Sequence, residues 1–343
     1  MITITLNLFA PWIGRGRSFS FVWLDRTKRL LIFFASLIFF SIITAPVDAG
    51  SKYSSKLPLA SQSLLLDGFS TDGLIVAVGE RGHILLSKDN GRSWEQAIVP
   101  TQATLTGVFF YDKKLGWAVG HDAIILRTIN GGKNWERVYY KPQDECPLLD
   151  VLFLNKKNGF AVGAYGLFLE TSDGGNTWSS RQISNNDFHL NHIMKSNSGK
   201  LYIAAESGMV YRSDDDGETW TELPSPYRGS FFGTLPLHDD VLLLFGLRGH
   251  MYRSEDAGKS WEEVKTETEA MLTSGILLSD NTKIVVGLGG TVLVSKDDGY
   301  KFSLRPQTDR KGISTVVQGN DGTVIAIGEF GVKRLRLVES SIN

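Results

Sequence analysis

SKDNGRSW (87–94), TINGGKNW (128–135), TSDGGNTW (171–178), SDDDGETW (213–220), SEDAGKSW (254–261) and SKDDGYKF (295–302) are six copies of one eight-residue box. Their starts lie 41, 43, 42, 41 and 41 residues apart, and a period of this length marks a repeat architecture. A short glycine-rich tetrad precedes every box: GERG (79–82), GHDA (120–123), GAYG (163–166), AESG (205–208), GLRG (246–249) and GLGG (287–290). A seventh tetrad, GEFG (328–331), follows the sixth at the same interval with no box behind it. The chain therefore holds seven units.

Each unit reads as four short strands. In the first they are SLLLDGF, LIVAVG, HILLSKD and SWEQAIV, apolar β-branched runs punctuated by Gly, Asp and Asn. Four strands per repeat of about 40 residues predict an all-β, seven-bladed β-propeller. The seventh unit ends at Asn343 before a fourth strand, so the N-terminal segment YSSKLPLA (53–60) is expected to supply one and close the ring. Within each box the third residue (Asp89, Asn130, Asp173, Asp215, Asp256, Asp297) is suited to accept backbone N–H bonds, while the fifth is a Gly that tolerates positive φ. The eighth (Trp94, Trp135, Trp178, Trp220, Trp261, Phe302) is expected to be buried against the neighbouring blade.

The first 49 residues differ from the rest. Leu30–Ala45 is an apolar run preceded by Lys28 and Arg29, and Val47 and Ala49 place small residues at a cleavage position. This predicts a signal peptide or N-terminal membrane anchor over 1–49, with residues 50–343 as the propeller, exported to the periplasm or an equivalent lumen. Beyond residue 49 there are 31 basic and 35 acidic residues, a net charge of −4, which excludes the broad basic footprint of a nucleic-acid binder. Cys146 is the only cysteine, so no internal disulfide can form.

LTGVFFYDKKLGWAVGHDAIILRTINGGKNW (105–135) and LLDVLFLNKKNGFAVGAYGLFLETSDGGNTW (148–178) carry the combined strand–turn–box pattern. It resembles the Asp-box (BNR) repeat of sialidases, sortilin-type receptors and photosystem II stability/assembly factors, and is most similar to the last group over roughly 280 residues. The resemblance implies an exported, non-enzymatic factor that binds a membrane protein or complex, in the thylakoid lumen of photosynthetic members. Relatives also occur in the periplasm of non-photosynthetic bacteria, some beside exporter-type membrane proteins. An accessory protein of such an exporter and a sialidase-like glycoside hydrolase are the alternative readings.

The Asp-box carboxylates recur blade after blade, as a frame requires and a unique catalytic centre does not. His189 and His192 form an H-x-x-H whose members point to opposite faces of a strand and lack a third ligand, so neither metal nor cofactor is expected. Variable residues concentrate in the loops that a propeller gathers at one mouth. On the tetrads these are Arg81, His121, Asp122, Tyr165, Glu206, Arg248, Glu329 and Phe330. The blade-joining loops add Arg228 and Arg310, near Asp144, Glu145, Phe188, His189, Tyr227 and Asp309. Unique residues on a shared frame are where a partner site is built.

Overall fold

The computed structural model describes residues 53–335. The expected signal or anchor over 1–49 lies outside the described residues. These form six four-stranded antiparallel sheets and one three-stranded sheet, each ordered by sequence from the inside outward. Blade one comprises Leu65–Thr71, Leu74–Gly79, Ile84–Ser87 and Glu95–Gln96. The innermost strands of the other blades are Leu105–Phe110, Leu148–Phe153, Leu190–Lys195, Phe231–Pro236, Leu272–Leu277 and Ile313–Gln318. Each lies beside the next, and the last lies beside the first, so the seven blades close into a ring. Apolar runs such as LIVAVG, wholly buried in the second strands, fill the space between sheets.

Each box is a self-contained turn. In blade three, Asp173 accepts from the Thr171 hydroxyl (2.9 Å), the Thr177 backbone N–H (3.0 Å) and the Thr177 hydroxyl (2.7 Å), while Gly175 donates to Thr171. The same hub recurs at Asp89, Asp215 and Asp256, and Asn130 keeps it with a neutral amide. The box glycines at 91, 132, 175, 217, 258 and 299 all have positive φ. Donors from Thr177 and Thr219 push the pKa values of Asp173 and Asp215 down to about 2. A folded-state pKa below the unfolded value stabilises the fold above about pH 4 and is lost as pH falls through the folded pKa. Acid titration of the melting temperature is therefore expected to fall more shallowly in an Asp173→Asn variant.

An arginine immediately before a box latches neighbouring blades. Arg127, Arg212 and Arg253 donate to the carbonyls of Gly174, Ala257 and Asp298, each the fourth box residue of the next blade. The box aromatics depart from expectation. Trp135 and Phe302 are buried, but Trp94, Trp178, Trp220 and Trp261 are only half-buried. The fourth strands are two residues long in most blades and sit at the rim, so an indole ahead of them keeps one side in water.

The expected closing strand is also corrected. Blade seven has three strands among the described residues, and 53–59 adopt no strand. Ser54 donates to the Val99 carbonyl, and the Gln96 side chain bonds Leu57 N and Ser55 O, so this segment lies on the outer end of blade one. Side chains close the ring instead: Leu65, Ile75, Ala77 and Leu85 of blade one pack with Val317, Ile325 and Ile327 of blade seven. The Arg92–Asp321 pair and an Asn320 N–H bond to Asn90 add polar contacts at the same seam.

His83 immediately precedes the third strand of blade one, fully buried with neither ring nitrogen hydrogen-bonded. Burial holds its pKa below the usual histidine value, so it destabilises the fold as pH falls below about 6.5, where only the unfolded chain takes up the proton. Leu167 occupies the corresponding position of blade three. His83→Leu is expected to raise stability by about 1–2 kcal/mol, by relieving unsatisfied polar atoms, and to flatten the pH profile between 5 and 7 in calorimetry.

Candidate functional site

The glycine-rich tetrads fold as tight single turns between the second and third strands. Their central residue is left-handed in blades one to six: Arg81 (φ 55°), Asp122 (61°), Tyr165 (54°), Ser207 (57°), Arg248 (57°) and Gly289 (64°). Each turn is stitched to the residue ahead of its own first strand, as by His121 N to Thr104 O, Ala164 N to Pro147 O and Leu247 N to Ser230 O. Where the turn closes with a glycine, as in every blade but the second (Ala123), that glycine also abuts the loop leading to the next blade; a side chain at Gly208 would meet Tyr227 and Arg228, and one at Gly290 would meet Arg310. Turns and blade-joining loops therefore share one end of the ring, while boxes and first-to-second-strand turns share the other.

Arg81, His121, Asp122, Tyr165, Arg228, Arg248, Arg310 and Glu329 are exposed at this mouth, and Glu206 and Phe330 are half-buried. The acids are partly engaged internally. Glu80, Glu206 and Glu329 accept from the backbone N–H groups of Leu64, His189 and Gly312, fastening the turns of blades one, four and seven. Phe330 leans on the core between blades six and seven beneath Lys333, which pairs with Asp309 at 3.0 Å. Tyr165 meets His189 edge-on at 5.1 Å, and Tyr227 lies 4.1 Å from His250. The side chains of Arg81, Arg228, Arg248 and Arg310 have no ion-pair or hydrogen-bond partner among the described residues. The arginines of the opposite end contrast with them: Arg92, Arg127, Arg181, Arg212 and Arg253 each bond a carboxylate or a carbonyl.

A second feature was invisible in the sequence. The first strands of all seven blades line a central channel of about 690 Å³. Each of these strands carries a bulge near its start, which re-aims one residue toward the channel or the next blade. Thus Asp67 accepts from Val108 N of blade two, and Asp150 accepts from Ile193 N of blade four, both at 2.9 Å. Burial, reinforced by Asp150, pushes the pKa of Asp67 up to about 8. Burial also raises Asp150, opposed by His192, whose Nε2 lies 3.7 Å from its carboxylate. His192 thus faces the channel while His189 faces the mouth, and the H-x-x-H is not brought to one site. Among the described residues, no three His, Cys, Asp or Glu are grouped to hold a metal. The channel lining includes no arginine, tyrosine or glutamate, so the guanidinium clamp and the Tyr/Glu pair of a sialidase do not assemble there.

A model of the family described as photosynthesis system II assembly factor YCF48 matches residues 51–145 and 142–275. The photosystem II stability/assembly factor HCF136 of Arabidopsis thaliana is 36% identical over 73 residues, 20% of this chain and 18% of that protein. The aligned stretch therefore spans under a fifth of that relative's length. Among solved structures, YCF48 bound to D1 peptide superposes with a TM-score of 0.66 at 18% identity, covering 83% of this chain and 94% of that one. A streptogramin B lyase reaches 0.71 at 15% identity, covering 83% and 96%. An assembly factor and an enzyme thus share the fold, and at such identities the likeness speaks to fold alone.

Proposed function

The chain belongs to the photosystem II assembly factor YCF48 family, and from that premise we propose that it is an exported, non-enzymatic assembly factor that binds a membrane protein through the mouth of its ring. The observation that carries this reading is the contrast between the two ends. At the box end, five arginines are consumed in holding blades together. At the mouth, Arg81, Arg228, Arg248 and Arg310 have no partner in the described chain. Three of these four occupy left-handed backbone positions. A non-glycine residue there costs roughly 1–2 kcal/mol, and Gly289 does the same structural job without it. Strain of this kind concentrates at functional sites. Free guanidiniums on exposed turns suit carboxylate-bearing loops or a chain terminus of a membrane partner.

A solved YCF48 carries a D1 peptide, which supports a membrane-protein segment as the partner class. The apolar run at Leu30–Ala45 supports export and, if uncleaved, tethering beside such a partner. The hydrolase alternative has a pair of acids with raised pKa values in the channel, but lacks the arginine, tyrosine and glutamate of the sialidase plan.

The test is affinity capture from solubilised membranes of the source cells, comparing wild type with Arg81→Glu plus Arg248→Glu. The variant is expected to recover at least about tenfold less of the specific partner, and wild-type capture is expected to weaken with rising salt. Equal recovery by two equally folded proteins would remove these arginines from the site. The captured protein also decides between a photosystem component and an exporter. Turnover of a fluorogenic sialoside, abolished by Asp67→Asn, would transfer the case to the hydrolase.

A further inference from the structure

We propose that the central channel is a binding site for an alkylammonium or guanidinium group, held between the carboxylates of Asp67 and Asp150. This does not rest on the assembly-factor reading, because it concerns the channel and not the mouth.

The two carboxylates come from blades one and three, with only Gly107 at the equivalent position of blade two. A Cβ at Gly107 would stand 3.0 Å from the Asp150 backbone, so the glycine both allows this approach and leaves no side chain between the acids. The acids interact strongly enough for Asp150 to raise the pKa of Asp67. Their local environment offers backbone N–H groups but little positive charge: His192 is the only basic side chain on the lining, which includes neither lysine nor arginine. Two carboxylates against the single imidazole of His192, which lies beside Asp150, leave the pair short of positive charge, and burial then favours retention of a proton. Burial and the neighbouring Asp150 both push Asp67 in that direction.

A second, independent observation lies across the channel. Thr234, on the first strand of blade five, lines the same cavity, is 2% exposed, and its hydroxyl has no hydrogen-bond partner. The hydroxyls of Ser274 and Thr315, by contrast, satisfy one another at 2.9 Å. An ammonium donates three hydrogen bonds and a guanidinium five, so such a group can engage both carboxylates and still serve an acceptor left unpaired. Phe69, Phe109, Phe232 and Met194 supply apolar wall for an alkyl stem. About 690 Å³ admits a lysine- or arginine-sized group.

The titratable groups on the lining are Asp67, Asp72, Asp150 and His192. A bound cation favours the ionised form of Asp67, so binding at pH 7 releases a proton, and affinity rises as pH increases toward about 8. The shared chemistry has two sources, a free diamine or a basic side chain of a protein segment. The experiment is calorimetric titration of the propeller with cadaverine, with N-acetyl-lysinamide and with neutral N-acetyl-norleucinamide, in two buffers of different ionisation enthalpy. Binding of either amine with net proton release, and none of the neutral analogue, is the expected result; the tighter amine identifies the source. Asp67→Asn and Asp150→Asn retain an acceptor for the backbone donors and are expected to weaken binding at least tenfold. If one variant fails to fold, the other decides. Absence of heat with both amines to millimolar concentration, or binding indifferent to either substitution, overturns the proposal.

Discussion

Trp117→Ala is expected to lower stability by about 3–5 kcal/mol, more than any box-aromatic substitution, read as a shift of the urea midpoint with an unchanged slope. Trp117 lies in the second strand of blade two and is fully buried. Its ring stacks on Phe153 of blade three with centroids 3.4 Å apart and planes 8° from parallel. Its indole N–H donates to the Gly174 carbonyl at 3.2 Å, tying the ring to the next blade's box. Deletion leaves a cavity between two sheets that cannot collapse, because each sheet is held by its other neighbour. The half-buried Trp178 meets Phe153 edge-on at 5.8 Å and has solvent on one side, so Trp178→Ala is expected to cost clearly less. Equal losses in the two variants would refute this account of the blade interface.

The second large effect is expected at Arg253. Its side chain is 4% exposed, pairs with Glu255, and bonds Asp298 through both the carboxylate (2.6 Å) and the backbone carbonyl (2.9 Å). The guanidinium also lies 3.9 Å from the centre of the Tyr300 ring, whose hydroxyl donates to Glu255. Removing the cation of a buried pair strands its anion, at about 3–5 kcal/mol where both are enclosed. Asp298 keeps a third of its surface and retains His238 at 2.9 Å and Lys283 at 3.8 Å. The expected loss for Arg253→Ala is therefore about 2–3 kcal/mol. Arg253→Lys is expected to recover only part of it, since a lysine cannot reach carbonyl, carboxylate and ring together. A midpoint unchanged in Arg253→Ala would show that the latch between blades five and six contributes no net stability.

The exposed arginines of the mouth and the buried one at position 253 show why residue type alone did not sort them. Arg248 and Arg253 are five residues apart in one unit, yet one is an unpartnered turn residue and the other a blade latch. The strand between them passes from the mouth to the box end, and only the neighbouring blade determines what each guanidinium meets. Likewise Glu206 and Glu329 read as free mouth acids, but each has a carboxylate oxygen committed to a backbone N–H seventeen residues away.

What the sequence determined by itself is everything whose hydrogen bonds close within one box or one turn. The number of blades, the alternation of strands, the box hub at Asp173 and the glycine-dependent turns follow from contacts spanning a few residues, repeated at a fixed period. Tertiary structure alone decided whatever crosses from one blade to the next. Trp117 found Phe153, Asp67 approached Asp150 past Gly107, and residues 53–59 settled on blade one and not on blade seven. A repeat fixes the frame because every unit solves the same local problem. It leaves the seams and the channel open, because their partners lie a full repeat or more away and differ at each junction.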